Sequence, residues 1–77
     1  MKIQTFVFYE SLVISGKVQG VGFLFQCREL AKEFDISGKA MNANDGTVLL
    51  EVEGERDAVE EYTEELLRRM APFIREI

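Results

Sequence analysis

Three glycines fall within the run Gly16-Lys17-Val18-Gln19-Gly20-Val21-Gly22-Phe23, and the pattern of apolar residues differs on its two sides. Before it, Ser11-Leu12-Val13-Ile14-Ser15 is rich in β-branched residues and reads as a strand. After it, Phe23, Cys27, Leu30 and Phe34 recur at i, i+4, i+7 and i+11, one face of a helix predicted from Phe23 to Phe34. A chain that passes from strand to helix through such a loop brings backbone N–H groups together, because glycine adopts positive φ without steric penalty. The helix start adds unpaired amides and a positive dipole end. Phosphate or carboxylate is the natural guest.

The rest of the chain limits what surrounds that loop. Ser37-Gly38 punctuates, and Lys39 to Asn42 begins a short strand that meets a hairpin turn at Asn44, Asp45 and Gly46. Thr47 to Glu53 alternates, with Val48, Leu50 and Val52 on one face, and Gly54 closes it. A second helix is predicted from Glu55 to Met70 on the stripe Val59, Tyr62, Leu66 and Met70, with Arg68 and Arg69 favourable in its last turn. Glu64 with Arg68 and Glu65 with Arg69 read as i,i+4 ion pairs on a solvated face. Pro72 ends the helix, and Phe73 to Ile77 is expected as a last strand. The order β-α-β-β-α-β predicts a ferredoxin-like α+β sandwich, an antiparallel sheet with both helices on one face.

Seventy-seven residues make a single domain, 1–77, near the lower size at which one hydrophobic core suffices. Apolar residues make up 47% of the chain, enough to supply that core. Nine basic against fourteen acidic residues give a net charge of −5, the wrong sign for nucleic acid or an anionic membrane surface. There is no histidine, so Ser-His and Cys-His nucleophile pairs and His-based zinc sites are excluded. No metal or cofactor is expected. Cys27 is the only cysteine, which forbids an internal disulfide and points to a reducing cytoplasm; its helical spacing with Phe23 and Leu30 fits a small core residue better than a nucleophile. Neither a signal peptide nor a membrane span is recognised. A phosphate-binding Walker loop would need Gly-Lys-Ser/Thr after four residues, and a dinucleotide fingerprint a glycine where Phe25 stands, so neither reading fits.

The run from Gly16 to Phe23 resembles the signature loop of the acylphosphatase family, G-x-V-Q-G-V-G-F followed by arginine. Gly38-Lys39-Ala40-Met41-Asn42 is similar to that family's second signature, an asparagine on the strand after the first helix, and Asp45-Gly46 matches the turn beyond it. The resemblance extends from about Leu12 to Pro72. It implies hydrolysis of carboxyl-phosphate bonds without metal or covalent intermediate. It assigns the phosphate cradle to Val18, Gln19, Gly20, Val21, Gly22 and Phe23, and the orientation of the attacking water to Asn42. The partner it implies is a small acyl phosphate or an inorganic anion.

One position departs from that pattern: Leu24 stands where the family has its arginine. A guanidinium gives phosphate a bidentate charge match, and an isobutyl group gives none. Arg28, four residues on and on the same helix face, is the candidate substitute cation; the favoured alternative is a surface arginine, with or without a neighbouring acid as partner. Lys17 is expected to face solvent. Two readings of function follow, a weakened acyl-phosphate hydrolase and a catalytically inactive anion-binding or protein-interaction domain.

The ends depart as well. The family continues past the second helix with a longer fourth strand and a further one, so a short last strand is expected here. Residues 1–9 read as an N-terminal extension. As one strand Lys2 to Ser15 would span about 46 Å, so a bend is expected near Glu10-Ser11. The extension is a candidate for covering a sheet edge, within the monomer or on a second copy in a homodimer.

Overall fold

A computed structural model of the chain describes residues 7–77. Its elements are β1 (Phe8–Gly16), α1 (Phe23–Ala31), β2 (Ile36–Asn42), β3 (Val48–Gly54), α2 (Arg56–Met70), a 3₁₀ turn (Ala71–Phe73) and β4 (Ile74–Glu76). The four strands form one sheet in the order β2-β3-β1-β4, each neighbouring pair antiparallel. This is the ferredoxin-like arrangement that the order of patterns predicted.

The core lies between the sheet and the two helices. Ile14, Val48, Leu50 and Val52 meet Phe23, Cys27 and Leu30 of α1 and Val59, Tyr62, Leu66 and Met70 of α2, all of them buried. Each fully buried Val, Leu, Ile or Phe contributes about 1.5–3 kcal/mol relative to its exposed state. On the opposite face Tyr9, Val13 and Met41 remain about half exposed, which places the helices on one side only. Tyr62 fixes the helix pair: its hydroxyl donates to the Cys27 carbonyl of α1 at 2.9 Å, and its ring takes Phe34 edge-on at 5.9 Å.

Several boundaries differ from the sequence reading, each for a local reason. β1 starts at Phe8 rather than Ser11 and pairs with β3 in unbroken register from Phe8↔Gly54 to Ile14↔Val48, so there is no bend at Glu10-Ser11. Glu10 interrupts the apolar alternation, but it accepts a hydrogen bond from the Thr63 hydroxyl of α2 at 2.9 Å. Phe8 packs against the core, with the Arg56 guanidinium 5.4 Å from its ring centroid. The extension's Met1 to Phe6, and the edge-covering role expected of it, lie outside the described residues.

Helix α1 stops at Ala31, three residues short of Phe34, because the Glu33 and Phe34 amides donate to the carbonyls of Leu30 and Ala31 in tighter i→i−3 bonds. β2 begins at Ile36, with Ser37-Gly38 inside it rather than before it. Gly38 serves close approach there: a Cβ would lie 2.0 Å from the Glu51 carbonyl oxygen of β3. In α2, Glu65 pairs with both Arg68 and Arg69, so the expected Glu64–Arg68 pair is replaced by an i,i+3 contact. Among the described residues, no helix is long and apolar enough to cross a membrane.

Candidate functional site

The glycine loop occupies the junction between β1 and α1. Gly20 and Gly22 both adopt left-handed backbone, with φ of 79° and 78°, and Gly22 is the N-cap of α1. A side chain would find open space at either position, so the glycines are required by their φ rather than by crowding. The cap supplies no side-chain acceptor, and the helix's first backbone bond runs from Gln26 N–H to the Gly22 carbonyl at 2.9 Å. Among the described residues, the amides from Gln19 to Leu24 find no protein acceptor. The loop therefore presents unpaired donors at the positive end of a helix.

The side chains on either side of those amides anchor the loop. Val18 and Phe23 are fully buried in the core, so any part they take in a cradle is through their backbone N–H groups. Gln19 is exposed, but its side-chain amide is already engaged: Nε2 donates to the carbonyls of Ala43 at 2.9 Å and Thr47 at 3.0 Å. These two bonds tie the loop to the β2–β3 hairpin, next to Asn42. The hairpin is itself braced, with Ala43 N–H donating to Thr47 O at 2.8 Å and Asp45 Oδ1 accepting from the Thr47 amide and hydroxyl at 3.1 and 2.6 Å. Those bonds, the hydroxyl's foremost, hold the Asp45 carboxyl below its ordinary range. Gly20, Val21, Gly22 and Asn42 are exposed.

Leu24 sits in the first turn of α1, half-buried and packed against the core. Arg28 is exposed one turn further, on the side of α1 that faces β2, and lines a cavity together with Lys39 and Ala40. Arg28 is thus a surface arginine, and no carboxylate among the described residues lies within 4.0 Å of it. Cys27 is buried, and burial pushes its thiol up to about 11, which makes it a poor nucleophile at neutral pH.

Fold and site together define a ferredoxin-like sandwich whose first strand runs through an amide-lined glycine loop into its first helix. The acylphosphatase family model matches residues 10–77. The chain is 38% identical over 58 residues to an acylphosphatase of Clostridium perfringens, covering 75% of this chain and 65% of that protein. It is 40% identical over 52 residues to an acylphosphatase of Methanospirillum hungatei, covering 68% and 57%. Among solved structures it resembles the acylphosphatase from Bacillus subtilis with a TM-score of 0.74 at 28% identity, over 82% of this chain and 69% of that one. For an acylphosphatase from Coxiella burnetii the TM-score is 0.72 at 37% identity, over 80% and 65%. The chain belongs to the acylphosphatase family, and it spans about two-thirds or less of the length of these curated relatives.

Proposed function

We propose that the loop from Val18 to Phe23 binds the phosphoryl group of a small acyl phosphate, or inorganic phosphate, through its backbone amides, with Asn42 orienting water. In this reading hydrolysis of the carboxyl-phosphate bond yields a carboxylate and inorganic phosphate, and the reaction is strongly impaired because Leu24 replaces the arginine. The observation that carries the reading is the Gln19 tether, which holds the unpaired amides of the loop against the hairpin that follows Asn42. Phosphoryl transfer depends on positioning and charge stabilisation, and in other phosphotransfer enzymes a single arginine is worth about 10³–10⁵ in rate. That is about 4–7 kcal/mol of barrier, more than amides alone supply.

The packing of Leu24 against the core supports a second reading, in which the chain binds anions without catalysis or serves as a protein-interaction domain. In both readings the buried free thiol fits a reducing cytoplasm.

The test is hydrolysis of acetyl phosphate by the natural chain and by Leu24→Arg. The first reading predicts a slow natural chain and at least about a 10³-fold faster variant. Activity in neither protein selects the interaction role, and equal, substantial activity in both contradicts the importance given to Leu24.

A further inference from the structure

A half-open cavity of about 90 Å³ lies between α1 and β2. Its walls are apolar, formed by Cys27, Ala31, Ala40 and Leu50, and its width follows from alanines standing where larger residues would close the gap. Arg28 is the cation that lines it; Lys39 borders it through its backbone, its side chain lying with Met41 on the helix-free face of the sheet. Lys39 has Glu51 at 3.6 Å, whereas Arg28 has no carboxylate within 4.0 Å among the described residues. A free guanidinium beside an apolar hollow is complementary to an anion that carries an apolar tail.

The cavity continues the candidate site. On α1, Leu24, Cys27, Arg28 and Ala31 follow at i, i+3, i+4 and i+7, one face of the helix; on β2, Ala40 and Asn42 share a strand face. Arg28 is about 6 Å along the helix axis from Leu24, and Ala40 about 6.6 Å along the strand from Asn42. The cavity therefore lies about 6–7 Å further along both elements than the positions that flank the loop. In size the cavity falls below the ~150 Å³ apolar hollow that admits benzene, which favours a branched aliphatic tail of about three or four carbons over an aromatic ring.

We propose that the α1–β2 cavity binds short branched aliphatic carboxylates, the tail against Ala31 and Ala40 and the carboxylate on Arg28. Its further assignment as the pocket for the acyl group of the substrate rests on the phosphate-loop reading above; binding of the carboxylate itself does not.

The experiment is an amide NMR titration of the full chain with isovalerate, with acetate and, separately, with inorganic phosphate. Isovalerate should shift the amides of Cys27, Ala31 and Ala40 saturably, and acetate should not. Arg28→Gln should weaken isovalerate binding about tenfold. Ala40→Leu should abolish it, and Ala31→Leu, which fills the same space from the helix, provides a second block should the first variant fold poorly. Equal responses to isovalerate and acetate, or undiminished binding in the leucine variants, would overturn the cavity assignment. Phosphate reports on the loop through Gly20 to Phe23: a silent loop with saturable isovalerate binding rejects the phosphate reading alone, and the converse rejects the cavity alone.

Discussion

Gln19 and Gly22 set the shape of the loop by different means. Gln19 acts through two side-chain hydrogen bonds to backbone carbonyls 24 and 28 residues away, and Gly22 through a backbone angle that L-residues adopt at a cost. Gln19→Ala should lower stability by about 1 kcal/mol in chemical denaturation, since exposed hydrogen bonds have modest net worth, and it should broaden the loop amides in NMR spectra. Gly22→Ala should cost about 1–2 kcal/mol through its left-handed φ, with no steric contribution because the space beside it is open. The glycines were legible in the sequence because few residues tolerate such angles. The tether was not legible: its acceptors are main-chain carbonyls, which carry no side-chain signature, and only the tertiary fold brings them to Gln19. Leu24 stands where the resemblance calls for an arginine, and its packing into the core is not legible in the sequence, because a single apolar residue in a first helical turn is compatible with either face.

Among the elements, periodicity located the buried residues better than the boundaries. Phe34 belongs to the apolar face that the spacing predicts, yet it lies beyond the helix, on a turn tightened by i→i−3 bonds. Glycine so often ends an element that Gly38 reads as punctuation in the sequence; it sits within β2, where the neighbouring strand leaves no room for a Cβ. The contact between helices rests on Tyr62, so Tyr62→Phe should destabilise the protein by about 0.5–1.5 kcal/mol by removing the hydroxyl's bond to the Cys27 carbonyl, which keeps its place in the helix. The hairpin and the sheet surface also titrate. Asp45, Glu51 and Glu65 are held below the ordinary carboxylate range, chiefly by the hydroxyl of Thr47, the hydroxyl of Tyr9 and the guanidinium of Arg69 respectively. Depressed folded values mean that the unfolded chain binds more protons, so this stabilisation is full above pH ~5 and is lost as the pH falls through the folded values. Melting temperature should decline below about pH 5, and Asp45→Asn should flatten part of that decline. A melting temperature unchanged between pH 5 and pH 2 would contradict the assignment.

At the scale of the molecule, the succession of strand and helix patterns left few alternatives to a split βαβ sandwich, since sequential elements must bury their apolar faces against one another. What it left open was the state of the sheet's edges. β1 pairs with β4 only at Ser15 and Gly16, so among the described residues its other edge from Phe8 to Ile14 is unpartnered. Sedimentation should show self-association that rises with concentration, and a concentration-independent monomer would contradict a role for that edge in dimer formation. The larger claim is that the backbone half of an acyl-phosphate site is in place and its charged half is missing. It is tested most directly by the rate of acetyl phosphate hydrolysis in Leu24→Arg and in Leu24→Arg combined with Asn42→Ala. The account predicts a gain of at least about 10³-fold in the first variant and loss of most of that gain in the second. A first variant no faster than the natural chain, or a gain that survives removal of the Asn42 side chain, would contradict it.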